Sequence, residues 1–174
     1  MQERLRVSQI ISEYSLDDVW NADETGLFWK MDPARTLATG PLAGKKKNKE
    51  RVTILLACSL AGEKLPAVFV HKYKQPKCLR GINHNSLPIW YYWNKKSWMQ
   101  ISIFNDWLER FDREMHRCQR NILLLLDNAP VHVVLQRILQ IYGWEFFAPN
   151  MTSVLQPCDA GVINSFKVSH LIYW

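Results

Sequence analysis

The sequence predicts an α/β protein in which a mixed β-sheet is flanked by helices. Three observations carry that reading. Two early runs rich in branched residues, "RVTILLACSL" and "LPAVFVHK", flank Ala61-Gly62-Glu63-Lys64 and read as an antiparallel hairpin. Two later runs, "NILLLLDNA" and "WEFFAPN", alternate with stretches of helical character, which makes their strands parallel. The chain has 174 residues, 48% of them hydrophobic, enough for one domain with a substantial core.

Taken in order, Val7, Ile10, Ile11 and Tyr14 follow the i, i+3, i+4, i+7 spacing of a short amphipathic helix. Residues 1–15 are expected to form this helical lead-in, and residues 16–174 the domain proper. "DVWNADETGLFWK" reads as two short strands around a turn at Thr25 and Gly26, with Asp23 near the end of the first. Residues 33–51 hold Pro33, Gly40, Pro41 and Gly44 and then "KKKNKER", a loop with a basic tip. The hairpin follows. From 72 to 98 no period is visible, and one short strand is expected near "LPIWYYW". Ser102 is placed to cap a helix whose Ile103, Phe104, Trp107, Leu108, Phe111 and Met115 share one face. "NILLLLDNA" is an apolar strand ending at Asp127. Pro130 suits the first turn of the helix "VHVVLQRILQIY", which Gly143 closes. After the strand "WEFFAPN" and a loop, Asp159 stands where the last helix begins.

Composition narrows the function classes. The net charge of +6 and pI near 9.2 are compatible with a polyanionic partner, most commonly nucleic acid, but do not require one, since many basic proteins bind none. Cys58, Cys78, Cys118 and Cys158 stand far apart without a C-x-x-C pair, unlike a zinc ribbon or a dense disulfide framework. "MQERLRVSQI" lacks the apolar core of a secretory signal, and "VTILLACSLA" is too short to span a membrane, so no membrane partner is expected. There is no G-x-S-x-G elbow and no G-x-x-x-x-G-K-[ST] loop. Cys78 and His84 are six apart but lack a second zinc-binding pair.

The carboxylates are more informative. Functional groups of α/β sheets gather beyond the carboxyl ends of strands. Asp23 and Asp127 fall at such ends, and Asp159 heads a helix after another strand. If the two strands are neighbours and the last helix leans over them, three acidic side chains meet. Like charges so close repel unless a cation intervenes, and hard oxygen ligands suit Mg²⁺ or Mn²⁺. Two such ions about 3.5–4 Å apart can activate a nucleophile and stabilise the leaving oxygen of a phosphodiester. Singly, the ordinary reading of Asp127 or Asn128 and of Asp159 is a helix cap, and of Asp23 a turn residue; it is the convergence of all three that points to catalysis. Glu24 faces the opposite side of its strand and is left out of this set. His132 either supports Asp127 or lies on a helix surface, and the second is the ordinary case.

Several motifs carry a family resemblance: "NADETGLFWK", "KERVTILLACSLAGEKLPAVFVHK", "LPIWYYWNKKSWM", "LLLLDNAPVH" and "APNMTSVLQPCDAGVINSFK". In this order they resemble the DDE catalytic domain of pogo/Tigger-type transposases, a group that includes Jerky-like proteins and centromere protein B. The resemblance runs from about residue 7 to residue 167. It implies an RNase H-like fold and a catalytic triad of Asp23, Asp127 and Asp159. Two ions of Mg²⁺ or Mn²⁺ would be held by the same three residues, Asp23 and Asp127 sharing one. It also implies hydrolysis at transposon ends and attack of the freed 3′-OH on DNA. A nuclear location, a homo-oligomer and chromatin partners are compatible expectations. "VSHLIYW" replaces a more basic continuation, so the domain is expected to be short at its C-terminus.

In that context Lys45, Lys46, Lys47, Lys49 and Arg51 are expected to contact DNA phosphates, where alone they would read as a solvated tip. Trp90, Tyr91, Tyr92, Trp93 and Trp98 either stack on bases or fill a core, the second being the commoner use of such residues. The alternative to a working nuclease is a domesticated or decayed, catalytically inactive DNA- or chromatin-binding module.

Overall fold

The computed structural model describes residues 2–29, 50–132, 143–146 and 158–172. Helix α1 (Gln2–Ile11) precedes β1 (Val19–Phe28), β2 (Arg51–Ser59), β3 (Val68–His71) and β4 (Trp90–Trp93). Helix α2 (Ile101–Arg117), β5 (Leu123–Leu126) and β6 (Gly143–Phe146) follow, then a π-helical turn (Cys158–Val162) that runs into α3 (Ile163–Ile172). The strands form one sheet in the order β4-β3-β2-β1-β5-β6. β2 is antiparallel to β1 and β3; β1, β5 and β6 are mutually parallel, as β3 and β4 are. Five strands therefore present their carboxyl ends along one edge, with β2 reversed. The mixed sheet and its hairpin agree with the sequence reading.

β1 is one continuous strand, whereas two strands around a turn at Thr25 and Gly26 were expected. The reason is tertiary. β2 pairs with it residue for residue from Trp20↔Ser59 to Phe28↔Arg51, so Gly26 stays in the ladder opposite Thr53. A full row of cross-strand bonds outweighs the roughly 0.5–1 kcal/mol that glycine costs inside a strand.

The two faces of the sheet follow the period of two along β1. Trp20 and Ala22 face α2 and join Ile103, Phe104, Trp107, Leu108, Phe111 and Met115 in the main core. That helical face is as expected, but Ser102 does not cap it. Gln100 holds the extended cap conformation (φ −132°, ψ 152°), and its carbonyl accepts from Phe104 N at 2.9 Å, leaving Ser102 inside the first turn. Burying each Phe or Leu of this face contributes about 1.5–3 kcal/mol.

On the opposite face, Val19, Leu123 and Leu125 pack against Val7 of α1. Tyr14 lies beyond the end of α1 but packs on the same cluster. Leu27, Val52 and Ile54 meet Phe166 of α3, and Cys58 meets Cys158 and Ile163. The expected helix after Pro130 lies outside the described residues from 133 onward, and Gly143, expected to close it, is the first residue of β6. Among the described residues no helix is long and apolar enough to cross a membrane.

Candidate active site

Asp23 lies within β1, and Asp127 is the residue that follows β5. The parallel register pairs Val19 with Leu123 and Asn21 with Leu125. Two residues further along both strands come Asp23 and Asp127. Adjacent strands run about 4.8 Å apart, so this register sets the two acidic positions side by side, with Asp23 on the face opposite α2. Asp23 is 7% exposed, and its Oδ1 accepts the Glu24 N–H at 2.7 Å.

His132 and Glu24 join this end of the sheet. Ala129 O accepts from His132 N at 3.0 Å, and the turn through Pro130 folds His132 back beside Asp127. His132 Nδ1 lies 2.5 Å from Asp127 Oδ1 and 3.1 Å from the Asp127 carbonyl, while its Nε2 lies 3.0 Å from both carboxylate oxygens of Glu24. The ring is fully buried and packs 4.4 Å, centroid to centroid, from Phe104 of α2. The helix-surface reading of His132 is therefore replaced by a buried bridge between two strands. Glu24 does face away from Asp23, as its place in the strand requires, yet that turns it toward Asp127 through the histidine. The "DNAPVH" stretch held a usable signal: a proline turn that returns a polar ring to the carboxylate just before it.

Burial works against a charged imidazole here, but hydrogen bonds to Asp127 and Glu24 and the Glu24 charge overcome it, and the His132 pKa is raised to about 10. Burial likewise pushes the Asp127 carboxyl up, and is outweighed by the hydrogen bond and charge of His132 and the Ala129 N–H, leaving it below its ordinary value. At neutral pH an imidazolium thus sits between two carboxylates. Both hydrogen bonds to the Asp127 side chain fall on Oδ1.

Asn21 anchors the third segment. Its Nδ2 donates to Leu125 O at 3.1 Å, and its Oδ1 accepts from Cys158 N at 2.9 Å. One fully buried amide thereby joins β1, β5 and the start of the π-helical turn. Cys158 also packs its thiol 3.7 Å from that of Cys58. Asp159 is the next residue, so its backbone is held against the face of β1 that carries Asp23; its side chain lies outside the described residues. Among the described residues no group of three His, Cys, Asp or Glu side chains could hold a metal. The described donor set is two carboxylates in register, hard oxygen ligands of the kind a small divalent cation takes.

Of the expected DNA contacts, Lys45, Lys46, Lys47 and Lys49 lie outside the described residues. Arg51 opens β2 and places its guanidinium 4.5 Å from the centroid of the Trp98 ring. The aromatic cluster divides: Trp90 and Tyr92 pack on the main core, whereas Trp93 and Trp98 are exposed. All four cysteines are free thiols, Cys78 and Cys118 at the surface and Cys58 and Cys158 buried.

Residues 49–174 match the family model described as DDE superfamily endonuclease. The chain is 31% identical over 163 residues to Tigger transposable element-derived protein 4 of Mus musculus, covering 92% of this chain and 31% of that protein. It is 30% identical over 183 residues to CENP-B homolog protein 2 of Schizosaccharomyces pombe, covering 99% and 35%. With the human Jerky protein homolog the identity is 31% over 163 residues, covering 87% and 29%. The chain thus spans about a third of the length of the curated relatives it matches. Among solved structures, the Mos1 mariner paired-end complex with Mn superposes with a TM-score of 0.63 at 15% identity, over 96% of this chain and 46% of that one. The Mos1 catalytic domain alone gives 0.54 at 14% identity, over 96% and 67%. The fold is the RNase H-like one of those catalytic domains. This chain belongs to the DDE superfamily endonuclease family, and its relatives include Tigger, Jerky and CENP-B-related proteins.

Proposed function

We propose that this chain is a transposase-derived nuclease domain that cleaves DNA phosphodiester bonds and joins the freed 3′-OH to DNA. The observation that carries the reading is the register Asn21↔Leu125, which brings Asp23, in the middle of β1, level with Asp127 just past the end of β5. Asp23, Asp127 and Asp159 would hold Mg²⁺ or Mn²⁺, two ions in all. When bound, such ions supply an activated water or 3′-OH and stabilise the leaving oxygen. The Mn and Mg complexes of the Mos1 structures support a divalent ion.

The chain's own residues would then divide the work. His132 keeps Asp127 deprotonated and fixes its Oδ1, and Glu24 holds the ring from behind. Asn21 sets the segment that carries Asp159 against β1. Lys45, Lys46, Lys47, Lys49 and Arg51 would meet DNA phosphates, giving affinity that falls steeply with salt. Action on two DNA ends fits the Mos1 structures solved as paired-end complexes; a nuclear location and a homo-oligomer belong to the same proposal. The second reading is a catalytically silent DNA- or chromatin-binding domain. It is favoured by one observation: an imidazolium, a cation already, engages the Asp127 carboxylate.

Nicking of supercoiled plasmid by the purified chain in Mn²⁺ decides between them, with a folded Asp127→Asn control beside it. Metal-dependent nicking that disappears in the control supports the nuclease. A folded wild type that leaves the plasmid intact supports the silent domain.

A further inference from the structure

The far ends of β1 and β2 open into a groove of about 560 Å³ that the cleavage chemistry does not use. Arg51, Lys72, Lys95, Lys96, Tyr73 and Trp98 line it, with Glu50 as the single carboxylate among the described lining residues. From Asp23 to Phe28, the strand partner of Arg51, is five residues, so the groove lies roughly 17 Å beyond Asp23, at the carboxyl end of β1.

Two large rings are left in water here. Trp98 is 56% exposed and Tyr73 is 53% exposed. Exposed apolar side chains are common singly, but each of these carries a cation. The Arg51 guanidinium lies 4.5 Å from the Trp98 ring centroid, and Lys72 Nζ lies 5.6 Å from that of Tyr73. Lys95 and Lys96 sit in the same turn as Trp98 and are exposed.

The backbone that presents the rings is fixed. Asn94 Oδ1 accepts from Lys96 N at 3.0 Å and Trp98 N at 3.3 Å, and Asn94 Nδ2 donates to Trp98 O at 2.6 Å. Ser97 takes a left-handed φ of 52°, and its carbonyl accepts from the buried Thr53 hydroxyl at 2.6 Å. A left-handed serine is strained and persists where its surroundings over-determine it. On the other wall, Tyr73 N donates to His71 Nδ1 at 3.1 Å, and Tyr73 O accepts from the Tyr91 hydroxyl at 2.6 Å. The backbone that carries the two rings is thus set before any partner arrives, which lowers the entropic cost of binding.

We propose that this groove binds an unpaired DNA strand, with bases stacked on Trp98 and Tyr73 and phosphates on Arg51, Lys72, Lys95 and Lys96. The chemistry selects among polyanions. Duplex DNA hides its base faces and meets only the cations. An acidic peptide likewise uses the charges and leaves the rings in water. An unpaired strand alternates flat π-surfaces with phosphates, the pattern displayed here. The proposal rests on the reading above for the identity of the polyanion as DNA, but it requires neither metal nor cleavage.

The test is fluorescence anisotropy without metal, at fixed salt, using a labelled oligothymidylate, a duplex of equal length and polyglutamate. The chain is expected to bind the single strand more tightly than the duplex. Trp98→Ala should weaken single-strand binding about tenfold, since base stacking is worth about 1–3 kcal/mol. Tyr73→Ala should act in the same direction, and Arg113→Ala, a surface charge on α2, should change it less than twofold. Circular dichroism checks folding, which the exposure of both rings protects. Full binding by the Trp98→Ala, Tyr73→Ala double variant would overturn the proposal in favour of phosphate contacts alone. Equal binding of polyglutamate would overturn it in favour of an acidic protein partner. Plasmid nicking separates the two readings: oligonucleotide binding without nicking sinks only the nuclease, and nicking without ring-dependent binding sinks only the groove.

Discussion

His132 and Glu24 are 108 residues apart, yet His132 Nε2 lies 3.0 Å from both Glu24 carboxylate oxygens while its Nδ1 holds Asp127. This bridge closes β1 onto the turn after β5 behind the acidic edge of the sheet. Removing the ring leaves two partly buried carboxylates facing each other. His132→Ala should therefore destabilise the metal-free protein by about 2–3 kcal/mol, less than the cost of stranding a fully buried charge. Urea denaturation checks it.

The same bridge has a pH signature. The His132 pKa is raised from about 6.5 to about 10 on folding, so its stabilisation is fully present below pH 6.5 and is lost as pH rises through 10. The difference in stability between the metal-free wild type and His132→Gln should shrink steadily from pH 7 to pH 10. A constant difference across that range would mean that the ring is neutral in the folded state.

The sheet and the α2 face were legible because hydrophobic period and turn residues determine them locally: Ile103 through Met115 needed only the 3.6-residue repeat, and the hairpin only its turn. Asp127 was legible as a strand-end acid. Asp23, expected near the end of a short strand, lies in the middle of β1 because the ladder with β2 carries the strand on to Phe28. Glu24 and His132 were not legible, because their partnership depends on which face of β1 meets α2 and on how tightly the Pro130 turn returns. Asn21 was illegible for a related reason. A lone Asn in an apolar strand shows its role only when Leu125 and Cys158 are in place around it.

Asn21 makes a third prediction. Its amide satisfies Leu125 O and Cys158 N, both inside the fold. Asn21→Ala strands both, at a cost of about 1–3 kcal/mol, and should release the turn beginning at Cys158. Thiol titration with an aromatic disulfide reports this directly. In the wild type Cys78 and Cys118 should react quickly while Cys58 and Cys158 wait for unfolding, as their burial requires. In Asn21→Ala, Cys158 should move to the fast class. If it stays protected, contacts of Ile163 and Val162 suffice to dock the segment.

Arg120 ties together three stretches of chain. Its Nε donates to Asp18 at 2.8 Å, its Nη1 to Glu63 at 2.7 Å and its Nη2 to the Asp17 carbonyl, and the guanidinium lies 5.8 Å from the Trp20 ring centroid. Arg120→Met keeps the stem and removes the fork, and should cost about 1–2 kcal/mol once solvent screening of these half-exposed groups is allowed for. Burial pushes the Asp18 carboxyl up, but its hydrogen bonds with Arg120 and Ser15 leave it below 3.8. That contribution is present above pH 3.8 and disappears as pH falls through the folded value, so wild type and variant should converge in acid.

Gly143 tests how closely α1's trailing segment packs on the sheet. A Cβ there would lie 2.8 Å from the Tyr14 hydroxyl oxygen and 3.5 Å from Leu123 Cδ1. Leu123 is locked in its cluster, so the phenol must yield, and it packs on that same cluster. Gly143→Ala should destabilise the protein by about 1 kcal/mol, the low end of the cost of overpacking. Tyr14→Phe deletes the clashing oxygen and leaves the next ring atom at an ordinary 3.8 Å. In that background the alanine should be tolerated, giving a coupling energy of about the same 1 kcal/mol in a double-mutant cycle. Strict additivity would mean that the Tyr14 ring swings clear without cost, and that α1's trailing segment holds β6 more loosely than the 2.8 Å approach requires.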